Sequence, residues 1–118
     1  MRLHHLAFRT GDLEGLCRFY REVLGIREAR DARPRSIWLA LDGPAALMIE
    51  ARREDEPSYP GGSSELVAFA VTAAERAMIE AKAKALGCFD GRTEHTSYLR
   101  DPEGRRVGVS THPLDEAR

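Results

Sequence analysis

The chain carries the same pattern twice. His5-Leu6-Ala7-Phe8-Arg9-Thr10 is followed by Asp12, an amphipathic run and the stop Val23-Leu24-Gly25. Leu66-Val67-Ala68-Phe69-Ala70-Val71 is followed in turn by Thr72, a second amphipathic run and Ala85-Leu86-Gly87. Self-similarity of this kind constrains the fold more than any single motif, because each copy must form the same supersecondary unit. A chain of 118 residues is too short for two independent domains, so the copies share a core or lend surface to a partner chain. The repeat also sets residues against counterparts, and His5 falls opposite Leu66.

Within the first copy, residues 3–9 alternate, with Leu6 and Phe8 on one face and His5, Ala7 and Arg9 on the other, as a half-buried strand requires. Asp12 offers an N-cap to a helix over about 12–24. Leu13, Leu16, Tyr20 and Leu24 recur along it at helical spacing, with Cys17 and Val23 beside them. Gly25 supplies the left-handed residue that ends it. Strands are expected at Ser36–Leu41 and Ala46–Ala51, joined by Asp42-Gly43-Pro44, with a weaker one near Arg27–Ala29. Residues 55–64 read as a linker between module one (about 1–54) and module two (about 65–112).

In the second copy Thr72-Ala73-Ala74-Glu75 is a capping box, and Ala74, Met78, Ala81 and Ala85 form the expected apolar stripe of a helix over 72–86. Two last strands, Ser97–Asp101 and Arg105–Thr111, flank the turn Asp101-Pro102-Glu103-Gly104. Each half thus reads strand, helix, then about three strands. The expected fold is α+β: two βαβββ modules forming a curved eight-stranded cup with helices on the outer face. Alternation assigns Leu6, Phe8, Leu47, Ile49, Val67, Phe69, Val107 and Val109 to the helix side. His5, Ala7, Met48, Glu50, Leu66, Ala68, Arg106 and Gly108 fall on the concave side.

Composition narrows the function. With a net charge of −1 and basic residues interrupted by acids, nucleic acid is not the expected partner. The cluster Arg27, Arg30, Arg33, Arg35 contains Glu28 and Asp31 and reads as a solvated loop. No apolar run reaches the roughly 20 residues of a membrane span, and no charged-then-apolar leader opens the chain, so the expected location is cytoplasmic. Cys17 and Cys88 have no metal or redox spacing and read as free, buried thiols, Cys17 being a poor nucleophile. No phosphate-binding glycine loop or serine nucleophile elbow is present.

The opening strand with His5, the Asp12-Leu13…Phe19-Tyr20…Val23-Leu24-Gly25 helix and the turn Tyr98-Leu99-Arg100-Asp101-Pro102-Glu103-Gly104 together resemble the vicinal oxygen chelate superfamily. That group holds glyoxalases, extradiol dioxygenases, fosfomycin-resistance enzymes and bleomycin-resistance proteins. The resemblance spans nearly the whole chain and implies homodimers whose sites combine modules of both subunits. It also places metal-ligand positions at His5 and Glu50 in the first module and at Leu66 and Gly108 in the second. Leucine and glycine offer no donor, and a catalytic divalent site normally needs three protein ligands. Glu65 and His4 lie one residue out of phase, while His95 and His112 sit at strand ends. Arg106 is a candidate to pair with Glu50. His5 is then either a cavity histidine bonded to Glu50 or water, or a ligand.

The expected function is binding of a small organic molecule by a protein of the glyoxalase/bleomycin-resistance type with a degraded metal site. Its cofactor complement is none, or a weakly bound divalent zinc, nickel, manganese or iron ion. Trp38, Met48, Tyr98 and Arg106 are the candidate ligand-binding residues, whereas Tyr20 and Phe19 read as core. The alternative is a metal-dependent lyase, isomerase or dioxygenase using His5, Glu50 and an unforeseen third ligand, with Glu50 the catalytic candidate. A third possibility is a partner-binding module with a filled cup.

Overall fold

A computed structural model describes residues 1–113, and the repeat is present in its backbone. The chain divides into two units, Met1–Pro60 and a second beginning at Gly61. Each runs strand, helix, three strands, which makes the architecture α+β as two βαβββ modules.

Module one comprises β1 (His5–Thr10), α1 (Leu13–Arg18), β2 (Arg27–Ala32), β3 (Ser36–Ala40) and β4 (Ala46–Ala51). Its sheet order is β1-β4-β3-β2, with β1 parallel to β4 and the other pairs antiparallel. Asp12 caps α1 by accepting the Gly15 N–H at 3.0 Å, and its own N–H donates to Thr10 Oγ1 at 3.0 Å. The helix packs on β3 and β4. Phe8, Leu16, Cys17, Tyr20, Ile37, Leu39, Leu47 and Ile49 are buried between them. Each such side chain contributes about 1.5–3 kcal/mol, and a one-residue slip of a strand would turn its whole set to the other face.

Two details differ from the sequence reading. The helix expected over 12–24 is α-helical only to Arg18 and continues as a π-helical turn over Phe19–Val23, in which Phe19, Tyr20 and Val23 are all buried. The wider i→i+5 turn is absent from a 3.6-residue pattern. The weak strand near Arg27 is six residues long and carries the arginine cluster on a hairpin, where Arg33 is ion-paired with Glu14, Glu28 and Asp31.

Module two comprises β5 (Leu66–Ala70), α2 (Ala73–Leu86), β6 (Phe89–Arg92), β7 (Thr96–Arg100) and β8 (Arg106–Ser110), in the order β5-β8-β7-β6. The capping box is formed: Glu75 N–H donates to Thr72 Oγ1 at 3.1 Å and Thr72 N–H to Glu75 Oε1 at 2.8 Å. Gly87 ends α2 with φ 76. The Asp101 turn is held from within, Oδ1 accepting from the N–H groups of Glu103 and Arg105 and Oδ2 from the Arg105 guanidinium.

The face of α2 is a correction. Ala74, Met78, Ala81 and Ala85 are exposed, and the helix instead buries Arg76, Ile79 and Ala83. Polar chemistry sets this rotation. Arg76 Nε donates to Ser97 Oγ at 2.8 Å, its other nitrogens donate to the carbonyls of Glu94 and Thr93, and Ser97 Oγ donates to Glu80. A guanidinium with three oxygen partners outweighs the small transfer energy of an alanine stripe. β6 was not read from the sequence: it is short, lacks alternation, and its register shifts near Gly91, whose φ is 102.

Candidate functional site: the uncovered sheet faces

In each module the helix covers one face of the sheet and leaves the other uncovered. On the uncovered face of module one, β1 presents His5, Ala7 and Arg9 beside Ala46, Met48 and Glu50 of β4 and Trp38 of β3. His5 is exposed, its Nδ1 2.8 Å from His4 Nδ1 and its ring 5.5 Å from that of Trp38. Glu50 is ion-paired with Arg9, its neighbour across the ladder, Nε to Oε1 at 2.9 Å. Arg9 also binds Glu56. The Arg53 backbone N–H and the Arg9 guanidinium hold the Glu56 carboxyl below the usual range. The bonding partners of His5 and Glu50 within module one are therefore His4 and Arg9, and the Arg106 guanidinium stands over the Tyr98 ring.

The ladders also decide which residues correspond between the copies. His5 lies opposite Ala46 as Leu66 lies opposite Arg106; Ala7 opposite Met48 as Ala68 opposite Gly108; and Arg9 opposite Glu50 as Ala70 opposite Ser110. The counterpart of Gly108 is thus Met48, and that of Glu50 is Ser110. Glu50 stands four residues beyond the partner of His5 on a parallel ladder, about 13 Å along the strands at about 3.3 Å per residue. The structure does not bring His5 and Glu50 together.

On the uncovered face of module two, Leu66, Ala68 and Gly108 form an apolar floor. A Cβ placed on Gly108 would meet Thr96 Cγ2 at 3.2 Å, Leu66 Cδ1 at 3.3 Å and Ala68 Cβ at 3.5 Å. Tyr98 lies opposite Gly108, and the Arg106 guanidinium carbon stands 4.0 Å from the centre of the Tyr98 ring. Within each module, then, the donors present do not make the three-ligand set a catalytic divalent ion takes. Among the described residues no group of three or more His, Cys, Asp or Glu side chains is placed to hold one.

Several of the remaining candidates are accounted for by packing. Tyr20 and Phe19 are core residues whose rings meet edge-on at 5.0 Å. Cys17 is buried, and desolvation pushes its thiol pKa up; Cys88 is half-buried and shifted the same way. His95 and His112 meet edge-on at 5.0 Å, where the His95 carbonyl accepts the Thr111 N–H. Glu65 is exposed just before β5. Trp38 and Tyr98 both lie half-buried on uncovered faces.

Paired βαβββ modules with uncovered faces of this composition define a class, and comparison with known proteins names it. Residues 2–109 match the Glyoxalase/Bleomycin resistance protein/Dioxygenase superfamily, and the chain belongs to that family. Among solved structures, the fosfomycin resistance protein FosX from Mesorhizobium loti superposes with a TM-score of 0.74 at 23% identity, covering 99% of this chain and 98% of its own. The oxidase ChaP-H2 gives 0.75 at 19% identity, with 96% and 94% covered. Lactoylglutathione lyase from Agrobacterium tumefaciens gives 0.68 at 18%, with 92% of each chain covered. At these identities the likeness is one of fold. Comparison with curated protein sequences gives no match. No helix among the described residues is long and apolar enough to cross a membrane.

Proposed function

We propose that this protein, its metal site degraded, binds a small organic molecule on its uncovered sheet faces as a cytoplasmic homodimer. The observation that carries the reading is the closing of Leu66 over Gly108, which puts hydrocarbon where the family places donors. Met48 as the counterpart of Gly108 and the Arg9–Glu50 ion pair support it from the other module. Among the four equivalent positions His5, Met48, Leu66 and Gly108, the imidazole is the one strong donor for a divalent ion, a thioether being soft and weak. Trp38 beside Met48 in module one, and Tyr98 near Leu66 in module two, each suit an organic ligand held by area and stacking. Sequestration of a toxic or antibiotic compound is the activity this favours.

Trp38 is the chain's single tryptophan, so its emission reports on the uncovered face of module one. A panel of aromatic organic compounds titrated against EDTA-treated protein should give a saturable change in that emission. Ligand binding that occurs only after zinc, nickel or manganese is added would replace this reading with the metalloenzyme.

A further inference from the structure

Four of the five arginines of module two within the described residues have oxygen partners. Arg76 has three, and Arg92 Nε lies 3.3 Å from Glu80. Arg100 donates to Asp90 at 3.0 Å and to the carbonyls of Ser63 and Gly104, while Arg105 donates to Asp101 at 2.8 Å. Arg106 is the exception. It is half-buried, it stands over Tyr98, and among the described residues no oxygen meets its guanidinium. An aromatic face attracts a cation but accepts none of its in-plane hydrogen bonds, so the N–H edge stays open.

Two neighbours define what that edge would take. Arg106 lies directly opposite Arg100 on the β7–β8 ladder, an arrangement of like charges that is unfavourable unless each is answered. Asp90 answers Arg100; the Arg106 charge has no such partner among the described residues. Across the other ladder Arg106 lies opposite Leu66, which is 40% exposed and continues into the Ala68–Gly108 floor. A fixed cationic fork at the edge of an apolar floor matches a molecule with the opposite layout.

We propose that Arg106, on its Tyr98 platform, receives the carboxylate of a small organic acid whose apolar body lies over Leu66, Ala68 and Gly108. This rests on the small-molecule reading above and adds the charge class of the ligand. The planar fork pairs with a carboxylate through two parallel hydrogen bonds, and the Tyr98 ring 4.0 Å away holds the guanidinium in place before the ligand arrives.

The test is a titration of the intact chain with phenylacetate, phenylacetamide and inorganic phosphate, followed by NMR at the Arg106 Nε–H, the Leu66 methyls and Trp38. The acid is expected to saturate both Arg106 and Leu66, to bind about tenfold or more tightly than the amide, and to weaken by about as much in Arg106→Gln. Equal binding of acid and amide at Leu66 would overturn the carboxylate assignment and leave the small-molecule reading standing. Phosphate occupying Arg106 as tightly as phenylacetate would assign an inorganic anion instead and overturn it too. Absence of any response at Arg106, Leu66 and Trp38 would count against both. The acid–amide comparison uses the unmodified chain and does not depend on how the variant folds.

Discussion

The side chain of Leu66 closes over Gly108, so that a Cβ on the glycine would stand 3.3 Å from Leu66 Cδ1. The two residues fill each other's space, and each explains the other. A carboxylate at 108 would collide with the leucine. Gly108 is not among the glycines with positive φ, so contact and not backbone strain governs substitution there. Gly108→Ala should cost about 1 kcal/mol through overpacking, and less in a Leu66→Ala background. A double-mutant cycle in urea measures that coupling; strict additivity would separate the two residues.

The rotation of α2 has its own test. Arg76→Leu removes the donor shared by Ser97, Glu94 and Thr93 and leaves those three oxygens without it in a part-buried site, at a cost of about 3 kcal/mol. Met78→Ala touches a residue 55% exposed and should change stability by less than about 0.5 kcal/mol. Denaturant midpoints with unchanged slope read both effects. The reverse order would restore the alanine stripe as the buried face.

Much of this fold is written in local chemistry. The Thr72–Glu75 box, the Asp12 cap, the Asp101 turn and the alternation of β1 each depend on residues close in sequence, and all formed as read. The face of α2 was not legible, because alanines at helical spacing mark a stripe whether or not it is buried, and the deciding partner, Ser97, lies on a distant strand. Nor was the ladder register: the resemblance set Glu50 against Gly108, whereas the β1–β4 and β5–β8 pairings set Met48 there. The candidate site was therefore legible as a face and in the placement of Trp38, Tyr98 and Arg106, but not in the bonding partners of His5 and Glu50.

Glu80 gives the protein an acid-sensitive contact. The Ser97 hydroxyl, then Arg92 and Lys84, hold its carboxyl below the usual range against some desolvation. A carboxyl whose pKa is lower folded than unfolded adds stability above its unfolded value, near pH 4.3, and loses it as pH falls through the folded value. Stability should therefore decline below about pH 4.3. In Ser97→Ala the Glu80 pKa should rise and this part of the decline shrink. Carboxyl NMR titration of both proteins checks it; an unmoved Glu80 would remove Ser97 as the cause.

The two thiols should differ in reactivity. Cys17 is fully buried and Cys88 half-buried, both pushed up by desolvation. A thiol reagent should modify Cys88 slowly in the native protein and Cys17 only on unfolding. Mass mapping after partial labelling distinguishes them, and early labelling of Cys17 would mean that α1 opens locally.

On the proposed reading, placing donors at the family's metal positions should create metal affinity. The triple change Met48→Glu, Leu66→His and Gly108→Glu replaces the two hydrocarbon walls and the empty position together. It should raise affinity for zinc, nickel or manganese by orders of magnitude over the unmodified chain. Leu66→His with Gly108→Glu alone should recover less. Glu50→Gln should leave the affinity of the triple variant nearly unchanged, since Glu50 is committed to Arg9. Equilibrium dialysis with each ion orders the series, and a large loss from Glu50→Gln would return Glu50 to the ligand set.

The most direct measurement is titration calorimetry of the unmodified chain with zinc and nickel, paired with His5→Ala. The account predicts weak binding without defined stoichiometry, the same in both proteins. Tight stoichiometric binding that His5→Ala abolishes would contradict it and make His5 a working ligand.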